Sequence, residues 1–290
     1  MARKIALLGS NGYIGDNFNL FLNNKNLKVF PITRKDCDLV DKIKTYKILK
    51  SINPDYIINC AGYTGKPNVD ACEFNKELCW QQNYTLPKYL AQICKDLNKK
   101  WVHISSGCIY SGTKNKNGFT EEDESNFSFD NPPSSFYSGT KAIAEDYLKT
   151  YDNVYICRLR IPFSNKRCPK NYITKLLNYN KLLNATNSLS NTEEFIKACY
   201  FLISENCDTG IYNITNTGSI TTKEIVKLLN KHITDKKFSF FKNEIEFYKI
   251  AANTPRSNCV LDNTKLRKTG FKIKHIGEAI EEVISSYNEI

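Results

Sequence analysis

The sequence predicts an α/β fold: a Rossmann-type, doubly wound parallel sheet with a smaller, discontinuous C-terminal substrate lobe. Three observations predict it. Apolar strand-like runs alternate with helical patterns through the first 160 residues, the rhythm of a parallel sheet covered on both faces. A glycine triplet sits at the first strand-to-helix turn, where such folds hold a pyrophosphate. Beyond Arg160 the rhythm becomes irregular.

The elements follow in order. Lys4–Gly9 (KIALLG) reads as a buried strand. Tyr13–Asn23 places Ile14, Phe18, Phe21 and Leu22 at helical spacing. Leu27–Ile32 is the second strand, Asp41–Ile52 the second helix and Asp55–Cys60 the third strand. Asp70–Asn98 is a long helical region, interrupted or bent near Pro87. Lys100–Ser105 is the fourth strand, Ser134–Lys149 a helix and Val154–Arg158 the fifth strand. Gly112–Pro133, rich in Asn, Ser and acids, is the longest expected loop. Thr209–Thr215 is a further strand. Thr221 caps a helix to His232, with Glu224 completing a capping box. Gly277–Tyr287 is the terminal helix. The expected division is a Rossmann core over 1–160, its sheet completed by about 182–215, and a lobe from 161–181 and 216–290.

The chain has 290 residues, of which 41% are hydrophobic, and a formal net charge of +11. That charge suits either an anionic partner or a lysine-covered surface. No run of five or six like charges appears, so no nucleic-acid partner is expected. The 11 cysteines are scattered, odd in number and contain no CxxC pair. A disulfide framework and a zinc site are therefore not expected, and free thiols suit a reducing compartment, the cytoplasm. The apolar run in MARKIALLGSNG is short for a signal peptide, and no stretch of about 18 apolar residues suggests a membrane span.

Two constellations carry chemistry. GSNGYIG spaces Gly9, Gly12 and Gly15 for a tight turn, a close approach to a pyrophosphate and close helix–strand packing. Asn11, Tyr13 and Ile14 complete that loop. The second strand ends in Thr33-Arg34-Lys35, and the acid Asp36 comes late. Arg34 suits the extra phosphate of NADPH, with NADH as the second option. FYSGTK sets Tyr137 and Lys141 four residues apart on one helical face. A cationic lysine eases proton exchange between a phenol and a carbonyl oxygen. Ser106, at a strand end, can donate a hydrogen bond to the same oxygen. Cys108, two residues on, reads either as a small buried hydrophobe or as a base.

Together these features resemble the extended short-chain dehydrogenase/reductase superfamily. GYTGKPNVDACE, SSGCIYSG, FYSGTKAIAEDYLKTYDNVYICRLRIPFS, NYITKLLNY and TPRSNCVLDNTKL resemble one branch over nearly the full chain. That branch is the bifunctional nucleotide-sugar 3,5-epimerase/4-reductases that make UDP-L-rhamnose. The chain is similar, more distantly, to dTDP-4-dehydrorhamnose reductase and GDP-fucose synthase.

The resemblance implies UDP-4-keto-6-deoxyglucose as substrate, supplied by a separate 4,6-dehydratase, and a homodimer as an option. It implies Cys108 as the main epimerising base and Lys175 as the main acid. Reduction by NADPH comes last, with Tyr137 protonating the oxygen. It places Cys60, Ala61, Gly62, Asn83 and Pro162 against the cofactor. Ser106, Cys108, Tyr137, Asn171, Arg256 and Asn258 fall to the substrate, and no metal is implied. Gly139 and Ser106 depart from the pattern, which usually has lysine and threonine there. The alternatives are a 4-keto reductase alone, a GDP-fucose synthase-like enzyme and a non-catalytic NADP-binding regulatory subunit.

Overall fold

A strand buried on both faces must send apolar side chains both ways. The first strand, β1 (Arg3–Leu8), does this: Ile5 and Leu7 enter one core, Ala6 and Leu8 the other. The computed structural model describes residues 2–287. β1 pairs in parallel with β2 (Leu27–Ile32) and β3 (Tyr56–Asn59). Ala6 lies opposite both Phe30 and Ile57. β4 (Lys100–Ser106), β5 (Val154–Leu159) and β10 (Gly210–Asn213) extend the sheet, all in parallel. The six strands run in the order β10-β5-β4-β3-β1-β2. The order reverses at β1 and β3, and a crevice beyond their carboxyl ends is where this fold class binds ligands.

On one face, α1 (Tyr13–Asn23) and α8 (Thr192–Ser204) bury Phe18, Leu22, Phe195 and Cys199. On the other, α2 (Lys42–Ile52), α5 (Leu86–Asp96) and α6 (Phe136–Leu148) bury Leu49, Leu90, Ile93 and Leu148. Asp41 caps α2 by accepting a hydrogen bond from Lys44 N.

The region expected as one bent helix is broken more thoroughly. It comprises α3 (Ala71–Phe74), α4 (Lys76–Trp80), a π turn at Gln81–Thr85 and then α5. Pro87 lies in the first turn of α5 and has no N–H to give back to the preceding turn. Leu86 N reaches Gln81 O, the wider π spacing. Asn83 lies in that turn and is fully buried.

After β5 the chain leaves the sheet. β6 (Pro162–Phe163) pairs with β9 (Ser190–Asn191). α7 (Tyr172–Asn178), α9 (Thr222–His232) and α12 (Ile276–Ser285) share a separate core of Ile173, Leu176, Ile225, Leu229, Ile280 and Ile284. The Thr221–Glu224 capping box is present. In the stretch expected to complete the sheet, β10 does so and α8 covers one face. β7 (Lys181–Leu182) and β8 (Thr186–Asn187) instead pair with β12 (Ser239–Phe240) and β11 (Ile220–Thr221). α10 (Glu244–Ile250) and α11 (Thr264–Lys268) bracket an irregular segment. That segment bridges to the long 112–133 loop at Gly112–Cys259 and Phe119–Leu261. All 11 cysteines are free. Among the described residues no helix is long and apolar enough to cross a membrane, and no cluster of metal-ligating side chains occurs.

Candidate active site

The glycine loop lies in the crevice. Gly9 has a φ of +71°, and a Cβ there would lie 2.7 Å from Ala61 N. A Cβ on Gly15 would strike Gly9 O at 2.1 Å. Only glycine lets the loop, α1 and the end of β3 approach so closely. Gly12 caps α1 without a side-chain acceptor, which leaves the first-turn N–H groups for a phosphate. Gly9 N and Ser10 N both donate to Ile32 O, tying the loop to the end of β2.

Arg34 and Lys35 are exposed beside that loop. Asp36 turns back on Thr33, accepting from its N at 2.8 Å and its Oγ1 at 2.7 Å, and these bonds hold its carboxyl below the usual range. Asn11 is exposed and Ile14 packs into the core. The Tyr13 hydroxyl meets Ser164 Oγ at 3.1 Å and Thr192 Oγ1 at 3.3 Å, and burial pushes its phenol up. The glycine cradle, the uncapped helix start and two exposed cations at the ribose end fit NADP(H).

Ala61 N donates to Asn59 Oδ1, and burial pushes the neighbouring Cys60 thiol up. Asn83 accepts from Tyr63 N at 2.9 Å and donates to Tyr63 O at 2.8 Å. It therefore holds the turn after β3 rather than lying on a helix surface. A Cβ on Gly62 would lie 3.2 Å from Asn83 Oδ1 and 3.8 Å from Lys141 Nζ, so this turn joins the cofactor loop to the catalytic helix.

Ser135 caps α6, accepting from Ser138 N at 3.1 Å. Glu73 accepts from Phe136 N at 2.7 Å and from Thr254 Oγ1 at 2.8 Å. Those contacts fix the first turn, which carries Tyr137. Tyr137 and Lys141 are both buried. Lys141 Nζ donates to Ile104 O at 3.2 Å, and burial pushes its ammonium down to about 8. Burial and the nearby Cys108 push the Tyr137 phenol up, while Ser106 pulls it the other way. One turn on, Glu145 accepts from Ser105 Oγ and forms a buried ion pair with Arg158 at 2.8 Å. This pair locks α6 to β4 and β5. Gly139 packs against an aromatic ring: a Cβ there would lie 2.3 Å from Phe129 Cε1. Phe129 thus fills the space where a side chain at 139 would begin.

Cys108 is half-buried and packs against the cluster around Tyr137. Its N donates to Ser106 Oγ at 3.2 Å, and its sulfur accepts from Arg160 Nη1 at 3.3 Å. Lys175 approaches from α7 and is not a solvated surface charge. Burial, then Lys170 and Arg256, push its ammonium down. Arg256 pairs with Asp70 at 2.7 Å. Asn258 accepts from Asn187 Nδ2 at 3.2 Å, and its own Nδ2 is buried without a partner. Pro162 follows Ile161, a β-branched residue at φ +36°, a strained conformation of the kind that clusters at functional sites.

Asn171 has another role. Its amide donates to Ser164 O and Lys166 O and accepts from Ser164 N and Ile173 N. It caps α7 and ties down the preceding loop, so its polar atoms are committed to the chain itself. Ser106, Cys108, Tyr137 and Lys141 lie within interaction distance of one another, with Gly62 beside Lys141 Nζ. Lys175 and Arg256 are neighbours in the lobe, and Arg34 is exposed just beyond β2.

Sequence reasoning missed Glu73, Glu145, Arg158 and Arg160. One signal existed for the arginines: two charges at alternate positions of the apolar run VYICRLRIPF require partners if that strand is buried.

Fold and site together define a Rossmann-fold oxidoreductase. More particularly, the chain belongs to the RmlD family: the model described as RmlD substrate binding domain matches residues 3–289. It is 31% identical over 298 residues to a bifunctional dTDP-4-dehydrorhamnose 3,5-epimerase/dTDP-4-dehydrorhamnose reductase of Arabidopsis thaliana, covering 97% of each chain. Its structure is similar to the crystal structure of the L780 UDP-rhamnose synthase of Acanthamoeba polyphaga mimivirus, with a TM-score of 0.91 and 25% identity, over 99% of this chain and 100% of that one. It also shares the fold of a Bacillus anthracis dTDP-4-dehydrorhamnose reductase solved in complex with NADP, at a TM-score of 0.82 and 21% identity over 99% of each.

Proposed function

We propose that this chain converts UDP-4-keto-6-deoxy-D-glucose to UDP-L-rhamnose, by epimerisation at carbons 3 and 5 followed by NADPH-dependent reduction of the 4-ketone. Family membership and the relatives carry the broader part: an enzyme, a 4-keto reductase related to UDP-rhamnose synthases. NADPH is the cofactor, and when bound it supplies the hydride for the ketone carbon. Arg34 and Lys35 suit its extra phosphate. A separate 4,6-dehydratase supplies the substrate.

One observation carries the epimerase half. Cys108, held to Ser106 through its own N–H, packs against the Tyr137 cluster. A reductase alone needs no thiol there.

The 4-ketone acidifies the hydrogens on carbons 3 and 5. Ser106 and Tyr137 donate hydrogen bonds to its oxygen, where negative charge collects as an enediolate. The Cys108 sulfur takes the proton, and the C–H electron pair moves towards that oxygen. The Lys175 ammonium returns a proton on the other face; its burial and its cationic neighbours ease that release. In the final step Tyr137 delivers a proton to the carbon-4 oxygen beside Lys141. Reduction removes the carbonyl that made the neighbouring hydrogens acidic, so epimerisation comes first.

The test is to supply the keto sugar and NADPH in deuterated water. The expected result is NADPH consumption with deuterium at carbons 3 and 5 of a rhamnose product. A Cys108→Ala variant loses that deuterium and still binds NADPH. NADPH consumption without deuterium at either carbon rules out the epimerase half.

A further inference from the structure

We infer that Arg160 is the counter-ion of a Cys108 thiolate, and so a positioning residue for proton abstraction. What the thiolate does rests on the epimerase reading above; the ion pair itself does not.

Arg160 is 2% exposed. Its Nη2 donates to two neutral acceptors, Asn187 Oδ1 and Ser257 O, both at 2.6 Å. Its Nη1 donates to Cys108 Sγ at 3.3 Å. Its Nε is buried without a partner. Among the described residues no carboxylate forms a salt bridge with it. Arg158, two residues earlier and equally buried, has Glu145 at 2.8 Å. A buried guanidinium is costly unless an anion stands against it, and among the described residues the groups acting on Arg160 that can become anions are the Cys108 and Cys259 thiols and the Tyr172 phenol.

The neighbours narrow the choice. Cys259 is fully enclosed, its thiol donates to Gly107 O at 3.3 Å, and burial pushes it up. It stays a thiol. Tyr137 and Tyr172 are pushed up by burial and stay phenols. Lys141 also lies close enough to Cys108 for the two charges to interact. Cys108, half-buried rather than enclosed, is left as the anion.

Asn187 holds the arrangement: its Oδ1 also accepts from Cys259 N at 2.9 Å, so the guanidinium is aimed by a fixed neighbour. When the thiolate takes a proton from carbon, S–H forms and the released pair enters the enediolate, so no further reactant is required.

The test reads thiolate directly, in the full-length protein without substrate. Cys108 alkylation by iodoacetamide is followed by peptide-resolved mass spectrometry between pH 6 and 8. An ordinary thiol, ionising near 8.5, speeds up about 75-fold over that range. The wild-type Cys108, with the Arg160 guanidinium against its sulfur, is expected to speed up less than about 10-fold. Arg160→Gln restores the steep climb, and Arg160→Lys, which keeps charge but loses the fork, falls between. If Arg160→Gln does not fold, the wild-type curve and Arg160→Lys decide.

A steep wild-type climb overturns the inference, as does a shallow climb unchanged in every folded Arg160 variant. A shallow, Arg160-dependent climb without deuterium incorporation supports the ion pair and removes the epimerase reading. Deuterium incorporation with an ordinary thiol profile does the reverse.

Discussion

Lys141 should destabilise the free enzyme, and the structure gives the size of the effect. It is 4% exposed, and burial takes its ammonium from 10.5 to about 8. That fall corresponds to about 3.4 kcal/mol of unfavourable burial of the charged form at neutral pH. Its hydrogen bond to Ile104 O returns about 1 kcal/mol. Lys141→Met removes both, so the variant should be more stable than wild type at pH 7 by about 2 kcal/mol.

The pH dependence has a definite sign. An unfolded lysine keeps its proton to near 10.5, while the folded one releases it near 8. Between those values the unfolded state binds more protons, so wild-type stability rises with pH at this site. The variant lacks the site, so its advantage should shrink above about pH 8, vanish at about pH 9.5–10 and reverse by about pH 10.5. Urea unfolding of both proteins without cofactor, across that range, measures the difference. The same variant should lose reductase activity by at least about 100-fold. A less stable Lys141→Met at pH 7, or a gap that ignores pH between 8 and 10.5, refutes the reasoning.

Arg34→Ala should weaken NADPH binding roughly ten-fold and leave NADH binding nearly unchanged, read by fluorescence titration of each cofactor. Arg158→Met strands the buried Glu145 carboxylate and should cost about 3–5 kcal/mol in urea unfolding. Adding Glu145→Gln should recover a large part of it. Gly139→Ala drives a Cβ into the Phe129 ring and should cost about 1–3 kcal/mol. Phe129→Ala in the same chain should relieve that loss, which a double-mutant cycle reads as coupling.

The sequence by itself determined what depends on local pattern. Continuous apolar runs marked β1 to β5 because a strand covered on both faces has no polar side to show. Glycine spacing marked the phosphate turn, because only glycine lets α1 and β3 approach it. The four-residue step from Tyr137 to Lys141 placed both on one helical face. The Thr221–Glu224 box was readable for the same reason: its partners are three residues apart.

Only the tertiary structure decided which distant groups share an environment. Glu73 meets Phe136 and Thr254, and Arg160 meets Cys108 and Ser257. Nothing local announces such pairs, since sheet order and crossovers bring them together. Asn83 is buried in a π turn and bonded to both backbone groups of Tyr63, twenty residues away, a contact that no local spacing announces. Asn171 proved to be a helix cap, its amide committed to backbone groups of the preceding loop. Lys175 became a perturbed cation because burial and two like charges converge on it. Residue type and spacing give a side chain its chemistry; burial and neighbours set its protonation, and those are properties of the folded chain.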